Sequence, residues 1–374
     1  MQSEIGEVLA QIEANQIVLS KRQSCIGFDG FIDSIIHVVK QKSSDQQLRY
    51  FDTIEEFGTF LLSQSGQSCS IELKEHLCKM GGNMPIFANA LGSLGVPVTC
   101  IGALGYPKVH PLFEPMTQNN CTLWTVSDPG LTSALEFNDG KVMLIRIEAL
   151  DNLTWEWIKS VVGLEQLVRL FTNCDLIGIV NWSEIEHTTA IWQGILADIV
   201  PRLTLKQEKT VYFDLADCSK RNERDIRDVL ELIPQYSKNF RTVLGINENE
   251  ARILFRVLLD EQSPVNDPIP NMGARLYQKL GVNALVIHPR DGAWAWQNEQ
   301  CYHAKTKVIE RPKISTGGGD NFNAGFCLGQ LLGLDLHASL ITSNAVSGFY
   351  VQNGFSPDWD QLAAYLKEWQ AAEN

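Results

Sequence analysis

The sequence lacks the features that would place the protein in a membrane, on a nucleic acid or outside the cell. No uncharged run is long enough to span a bilayer, and the first 19 residues lack the basic segment that opens a secretory signal. Basic residues number only 31 against 44 acidic ones, so the formal net charge is −13, and no positive excess is available for phosphate backbones or anionic lipids. We therefore predict a cytoplasmic protein that has neither a membrane nor a nucleic acid as its partner.

Zinc sites and disulfide frameworks also lack support. The nine cysteines contain no C-x-x-C pair and their number is odd. Several lie in apolar runs, where a thiol packs as a small hydrophobe in a reducing compartment. The P-loop pattern G-x-x-x-x-G-K-[ST] and the H-R-D and D-F-G motifs of protein kinases are absent as well. These two kinase classes are therefore disfavoured.

What the chain does contain is an alternation of short apolar runs with segments of helical periodicity. Its 374 residues are 44% apolar and only 20% charged, which is typical of a globular enzyme with a large core. The predicted strands are 24–28, 97–104, 176–180, 210–213, 242–246 and 284–288. This order predicts an α/β fold with a doubly wound, mainly parallel sheet and helices on both faces.

Two further segments bear on the domain organisation. Residues 1–22 have helical spacing and are interpreted as an N-terminal helical extension to a single α/β domain at 23–374. Residues 46–53 and 122–147 interrupt the alternation and have the pattern of hairpin strands, the second around an Asn-Asp-Gly turn. Inserted strands of this kind form either a small β lid over a site or an ordinary surface hairpin.

The segment that carries the most chemistry is a run of three glycines before an acidic residue and a helical face. Gly317, Gly318 and Gly319 can deliver the chain into a helix start whose amides converge on an anion, and Asp320 follows them directly. The alternative is a flexible turn with Asp320 as the helix cap.

The run from Ser315 to Phe326, STGGGDNFNAGF, closely resembles the C-terminal signature of the ribokinase-like (PfkB) carbohydrate kinases. The run from Met80 to Gly95 resembles their N-terminal signature, in which a Gly-Gly pair opens a helix beside the sugar. Here the family usually has an asparagine where this chain has Ile86, a departure that concerns the choice of substrate. The resemblance covers the chain from about Ser24 onward.

Three weaker resemblances follow in the family's order. Asn247 and Glu250 match the N-x-x-E segment, which organises Mg²⁺ and phosphate, usually through water, although a helix start explains the pair equally well. Gly292 matches one glycine of the turn near the nucleotide. Asn344 matches a polar contact in the helix beside the adenine, where close helix packing is the alternative.

The first strand carries two candidates for the carboxylate that the family presents to two sugar hydroxyls. Asp33 is the preferred one, and Asp29 remains the alternative because the spacing from the strand is one residue longer than usual. A carboxylate suits this role since its two oxygens accept charge-assisted hydrogen bonds from neighbouring hydroxyls. The resemblance adds Gly81, Gly82 and Asn83 to the predicted substrate site.

The resemblance implies an ATP-dependent phosphotransferase that uses Mg²⁺ and moves the γ-phosphoryl group to a hydroxyl of a small sugar, polyol or nucleoside. Asp320 would accept the hydroxyl proton, and the amides after Gly317 would form the anion hole. The lid would close over the acceptor, and a homodimer through the lid is left open. The alternative is a catalytically degenerate sugar- or nucleotide-binding regulator. It is suggested by the positions at which this chain departs from the family pattern: Ile86, Ile287, Pro289 and Ile314.

Overall fold

The computed structural model describes residues 1–43, 47–204, 208–259, 267–314 and 316–373, and these residues form a large and a small β-sheet with helices packed around them. The strands are β1 Ser24–Phe28, β2 Phe31–Lys42, β3 Leu48–Tyr50, β4 Leu73–Gly81, β5 Val98–Gly102, β6 Cys121–Thr125, β7 Gly130–Phe137, β8 Gly140–Arg146, β9 Leu176–Ile179, β10 Thr210–Asp214, β11 Arg241–Asn247, β12 Ala284–His288, β13 Gly292–Gln297 and β14 Gln300–Lys305. The α-helices are α1 Gln2–Leu19, α2 Ile54–Ser63, α3 Asn83–Ser93, α4 Trp155–Val162, α5 Leu164–Asn173, α6 Thr188–Gly194, α7 Glu223–Tyr236, α8 Glu248–Leu259, α9 Ile269–Leu280, α10 Gly318–Leu331, α11 Leu336–Asn353 and α12 Trp359–Ala372.

The large sheet has the order β14-β13-β12-β11-β10-β9-β1-β5-β6. Its strands are parallel from β6 to β12, and β13 and β14 add an antiparallel edge. Neighbouring strand residues point to opposite faces, so Ile26 joins a core with α1, α3, α10, α11 and α12, whereas Cys25 joins a second core with α4 to α9. Helices therefore cover both faces, and the predicted doubly wound, mainly parallel α/β fold is confirmed.

The predicted strands of this sheet coincide with the observed ones to within one or two residues at each end, and β1 has the predicted bounds. Their burial explains this agreement. All five residues of β1 and all four of β9 are buried, because helices cover both sides of the sheet. A strand that is buried on both faces has a continuous apolar run, and such runs stand out in the sequence.

The N-terminal helix α1 packs against α11 and α12. Its side chains Ile5, Val8 and Ile12 are buried in the same apolar core as those helices. The separation of residues 1–22 from residues 23–374 as two units stays a prediction. In the described part of the chain, no helix combines the length and the apolar character needed to cross a bilayer.

The small sheet, called the lid below, has β2 at its centre. β4 pairs with β2 in antiparallel fashion, β7 pairs with it in parallel, β3 pairs with its far end, and β8 pairs with β7. The predicted lid segment 122–147 needs a correction, since β6 pairs with β5 along its whole length and belongs to the large sheet. Within the other predicted segment, Gln46 lies outside the described residues.

The two faces of the lid have different surroundings. One face is covered by α2, whose Phe57 packs on Ile36, Val38, Leu135 and Phe137. The other face carries Asp33 and Thr132 toward the large sheet and lines a cavity there. The lid therefore encloses a space above the large sheet.

Candidate active site

A cavity of about 380 Å³ lies between the lid and the carboxyl ends of the parallel strands. Asn181 follows β9, and Asp214, Asn247 and His288 end β10, β11 and β12. The carboxyl edge is where open α/β sheets bind ligands, because loops and helix starts converge there. The cavity also contains residues predicted for the site from the sequence: Asp33, Gly82, Asn83, Glu250, Gly317, Gly319 and Asp320.

The start of α10 supplies the floor of this cavity. Gly317 caps the helix in a left-handed conformation with φ 90°, and a Cβ there would lie 2.7 Å from the Tyr350 hydroxyl oxygen. The amide of Asn321 makes the first intrahelical bond, to the Gly317 carbonyl at 3.1 Å. The three amides before it therefore have no carbonyl partner within the helix, although that of Asp320 contacts its own carboxylate. The positive end of the helix dipole adds to the attraction of this helix start for an anion. Ser315, just before this turn, lies outside the described residues.

Asp320 lies in the first turn of α10 and lines the cavity with only 7% of its surface exposed. Its Oδ1 accepts a hydrogen bond of 2.9 Å from Asn83 Nδ2. Burial raises the pKa of Asp320 well above its ordinary value, and the nearby carboxylates of Asp214 and Asp29 raise it further. A carboxylate in such surroundings accepts a proton more readily than one in water, which suits a general base.

Asp29 holds the start of α3 and does not line the cavity. Its carboxylate accepts hydrogen bonds from the amides of Asn83 at 2.8 Å and Met84 at 2.7 Å, and from Asn181 Nδ2 at 2.7 Å. Burial raises the pKa of Asp29 to about 7, although the three hydrogen-bond donors act in the opposite direction and lower this pKa. The observed contacts of Asp29 are therefore those of a buried cap on α3, and its predicted role as the alternative substrate contact stays a prediction.

Asp33 is the carboxylate that the lid presents to the cavity. It lies on β2 beside Thr132, with which it shares a hydrogen bond, and burial raises its pKa. The two predicted glycines explain how it fits. A Cβ at Gly81 would collide with the Asp33 carboxylate, and one at Gly82, where φ is 91°, would lie 2.7 Å from Asp29 Oδ2. Side chains at either position would displace one of the two acids.

Asn247 and Glu250 form a reciprocal pair at the start of α8. Glu250 accepts from the Asn247 amide at 2.9 Å and from Asn247 Nδ2 at 2.6 Å, and the Glu250 amide donates to Asn247 Oδ1 at 3.0 Å. This arrangement satisfies the helix start, as the alternative interpretation expected. Both residues also line the cavity, so their position is compatible with the predicted contact to hydrated Mg²⁺, which stays a prediction.

The acidic residues of the cavity fit a divalent cation. Burial raises the pKa of Glu250 well above its ordinary value and also raises that of Asp214, and the Asp214 charge adds to the effect on Glu250. Among the described lining residues Lys220 is the one lysine or arginine, and its ammonium group pairs with Glu184. Mutually repelling carboxylate oxygens without a dedicated cation are the donor set that Mg²⁺ prefers.

A second hollow of about 660 Å³ adjoins the first and shares Asn247 and His288 with it. The residues predicted beside the nucleotide do not line either hollow. Gly292 starts β13 beside β14, and the buried Asn344 donates to the carbonyls of Ala304 and Lys305, both at 3.1 Å. These two hydrogen bonds link α11 to β14, and the predicted contacts of Gly292 and Asn344 with the nucleotide stay predictions.

A buried hydrogen-bond network beneath Asp320 was not predicted from the sequence. Tyr212 donates to Asn323 Oδ1 at 2.5 Å, Asn323 Nδ2 donates to Asp214 Oδ2 at 2.6 Å, and the Ala216 amide donates to Asp214 Oδ1 at 2.7 Å. Asp214 could have been found, because it follows a predicted parallel strand at the edge where ligands bind. Asn323 had no such signal, since its partner lies 109 residues away.

Solved structures share this architecture. Arabidopsis thaliana ribokinase in complex with ribose and ATP superimposes with a TM-score of 0.64 at 15% identity, covering 93% of this chain and 99% of that one. An E. coli protein provisionally assigned as ribokinase II, in complex with ATP and Mg²⁺, gives 0.62 at 13% identity, with 93% and 99% covered. At these identities the likeness shows the fold, and the class that the fold defines is the ribokinase-like α/β class.

The particular family within that class follows from the sequence comparisons. A ketohexokinase from Haloferax volcanii is 29% identical over 341 residues, which is 91% of this chain and 89% of the relative. The model of the prokaryotic ketohexokinase family matches residues 8–369, and the chain belongs to that family. The resemblance to ribokinase-like (PfkB) carbohydrate kinases is thereby confirmed, and the protein is a carbohydrate kinase.

Proposed function

We propose that the protein transfers the γ-phosphoryl group of ATP, with Mg²⁺, to a hydroxyl group of a ketohexose. The similarity to the Haloferax volcanii ketohexokinase supports the ketohexose, and the ligands of the two structural neighbours support ATP and Mg²⁺. The observation that carries the proposal is the position of Asp320, which is buried at the anion-binding start of α10 and opens into the cavity.

The acceptor sugar lies between the lid and α3 in this proposal. Asp33 accepts hydrogen bonds from two neighbouring hydroxyls of the sugar, and Asn83, held on Asp320, contacts the sugar from the opposite side. Ile86 lines the same cavity and gives it one apolar wall. Its presence, where ribokinase-like enzymes usually have an asparagine, makes this wall a determinant of which sugar is accepted.

The chemical step uses Asp320 and the helix start. Asp320 accepts the proton of the attacking hydroxyl and holds its oxygen in line with the phosphoryl group. The amides after Gly317 donate to the charge that develops on the transferred group, and the helix dipole acts in the same direction. Positioning counts for as much as basicity here, because the transition state of phosphoryl transfer is loose.

The second hollow is the place we assign to the nucleotide. It adjoins the first at Asn247 and His288, so a phosphate chain entering there reaches the start of α10. Asn247, Glu250 and Asp214 would hold hydrated Mg²⁺, which neutralises charge on the phosphate oxygens when bound. The predicted contacts Gly292 and Asn344 remain outside this assignment.

The test is a phosphorylation assay with a panel of ketohexoses, aldohexoses, pentoses, polyols and nucleosides. We expect a ketohexose to give the highest kcat/KM. Asp320→Asn should lower kcat by roughly 10²–10⁴-fold, the usual contribution of a general base, and should leave ATP affinity unchanged. Asp335→Asn, which keeps a cap at the start of α11, is the matched control.

Two outcomes would contradict the proposal. Wild-type turnover in Asp320→Asn would remove the assigned base. Sugar binding without phosphorylation of any acceptor would favour the degenerate regulator instead.

A further inference from the structure

Three side chains of the lid form a cluster of metal-binding groups outside the site described above. His37 on β2, His76 on β4 and Glu136 on β7 each offer a ligand atom, and these atoms lie within 4.8 Å of one another. The imidazole rings are stacked with centroids 4.4 Å apart, and His76 Nε2 lies 3.6 Å from Glu136 Oε2. Adjacent strands lie about 4.8 Å apart, so side chains from three neighbouring strands can approach one another when they are on the same face of the sheet. The three ligand atoms therefore lie on one face of the lid.

A β-bulge brings His76 onto that face. In the register of β2 and β4, Ile35 pairs with Leu77 and Ile36 pairs with Glu75, so His76 is the extra residue. In a regular strand Leu77 and His76 would point to opposite faces. The bulge turns the His76 side chain toward the stack with His37, and bulges are known to re-aim side chains in this manner.

We propose that His37, His76 and Glu136 bind one divalent transition-metal ion of the Zn²⁺, Ni²⁺ or Co²⁺ kind. Imidazole nitrogen and carboxylate oxygen suit these ions, whereas Mg²⁺ prefers oxygen ligands alone. The cluster therefore selects a different ion from the one assigned to the cavity. Three protein ligands at a partly exposed site leave the remaining coordination positions to water.

The surroundings of Glu136 agree with this assignment. Lys141 Nζ contacts Glu136 Oε1 at 2.9 Å, while the oxygen nearest to His76 is Oε2. Lys141 thus orients the carboxylate through one oxygen and leaves the other for the ion, as outer hydrogen-bond partners of metal ligands commonly do. A bound ion would join β4, β2 and β7 by coordinate bonds in addition to their backbone hydrogen bonds.

The experiment uses the untagged full-length protein, freed of metal with EDTA and titrated with Zn²⁺ by calorimetry. We expect one Zn²⁺ per chain. In His37→Gln, His76→Gln and Glu136→Gln the Zn²⁺ affinity should be at least about tenfold lower, because loss of a hydrogen-bond partner of a metal ligand already lowers affinity by that factor. His337→Gln is the matched control. It removes an imidazole that lies 3.4 Å from a single carboxylate, Glu4, and it should bind Zn²⁺ as the wild type does.

The absorption spectrum of the Co²⁺ form identifies the ligand type. Bands of nitrogen and oxygen ligands without thiolate-to-metal charge transfer support the cluster and exclude the cysteines. Equal Zn²⁺ affinity in the wild type and the His37→Gln/His76→Gln double variant would overturn the proposal, as would thiolate bands. Circular dichroism of each variant establishes that it is folded before binding is compared.

Discussion

Asn83 Nδ2 donates a hydrogen bond of 2.9 Å to Asp320 Oδ1, and this bond links the start of α3 to the start of α10. The two helices belong to the two sequence signatures, which lie 237 residues apart in the chain. The bond stabilises the ionised form of Asp320 and so lowers its pKa, against the larger effect of burial, which raises it. The proposed base and an acceptor contact are therefore coupled.

Removing this donor should make Asp320 harder to ionise. In Asn83→Ala the pKa of Asp320 rises further, so the acidic limb of the kcat profile moves to higher pH and kcat at neutral pH falls by about tenfold, the value of one charge-assisted hydrogen bond. The measurement is kcat against pH for both proteins. Asn89→Ala is the control, since Asn89 lies on the same helix and pairs with Asn119. A limb that stays in place or moves to lower pH would contradict the coupling.

Two adjacent glycines should respond in opposite ways to the same substitution. Gly317→Ala places a Cβ at φ 90° and 2.7 Å from the Tyr350 hydroxyl, so it should cost about 1–3 kcal/mol of unfolding free energy and most of the activity. Gly318→Ala lies within α10 and its Cβ would meet nothing nearer than 3.4 Å, so it should stabilise by up to about 1 kcal/mol. Urea unfolding and kcat are measured for both. Equal effects would show that the turn is not constrained as described.

The two acids near β1 should separate into a structural and a binding residue. Asp29→Asn loses acceptor capacity for three donors and should lower the unfolding free energy by about 1–3 kcal/mol. Asp33→Asn should leave stability nearly unchanged and raise KM for the sugar by about tenfold, which corresponds to about 1.4 kcal/mol. Each variant is the other's control in unfolding and kinetic measurements. The reverse pattern would move the acceptor contact to Asp29.

His288 should make stability depend on pH. Burial lowers its pKa to about 4, and its ring stacks on Phe322 with centroids 4.6 Å apart. The His288 ring takes up a proton near pH 6.5 in the unfolded chain but only near pH 4 in the folded chain. Its full contribution to the free energy of unfolding is therefore present above pH 6.5 and is lost as the pH falls from 6.5 to about 4. His288→Gln should reduce the fall by about 1–2 kcal/mol, because the ring is partly open to the cavity. His187→Gln is the control, and an identical pH dependence in all three proteins would contradict this account.

Strands that are buried on both faces were predicted from the sequence, whereas the partly exposed, mixed strands of the lid were not. Strands of the large sheet are apolar along their whole length, and local sequence was enough to find them. The lid strand β2 has the polar residues Asp33 and His37 among its apolar ones, and its partner β4 is exposed over most of its length. Mixed strands of this kind take their structure from partners far along the chain, so β2 and β4 were missed.

The site was predicted where a motif has a local physical cause. The turn at Gly317 and the helix that follows it are encoded by neighbouring residues, and Asp320 at this helix start lines the cavity, while its catalytic role stays a prediction. The different surroundings of Asp29 and Asp33 depend on the position of α3, which no local pattern gives. Asn344 was predicted as a polar contact, although its observed partners are two carbonyls on β14.

The short connection between β1 and β2 has a mechanical consequence. Only two residues separate the end of β1 at Phe28 from the start of β2 at Phe31, and Asp33 follows almost at once. At about 3.3 Å per residue, the tip of β2 at Lys42 lies roughly 30 Å beyond Asp33. A rotation of the small sheet about its base would sweep its tip through a wide arc while Asp33, close to the pivot, barely travels. Under the function proposed above, the sugar could then enter and leave past the tip while Asp33 stays in place beside it.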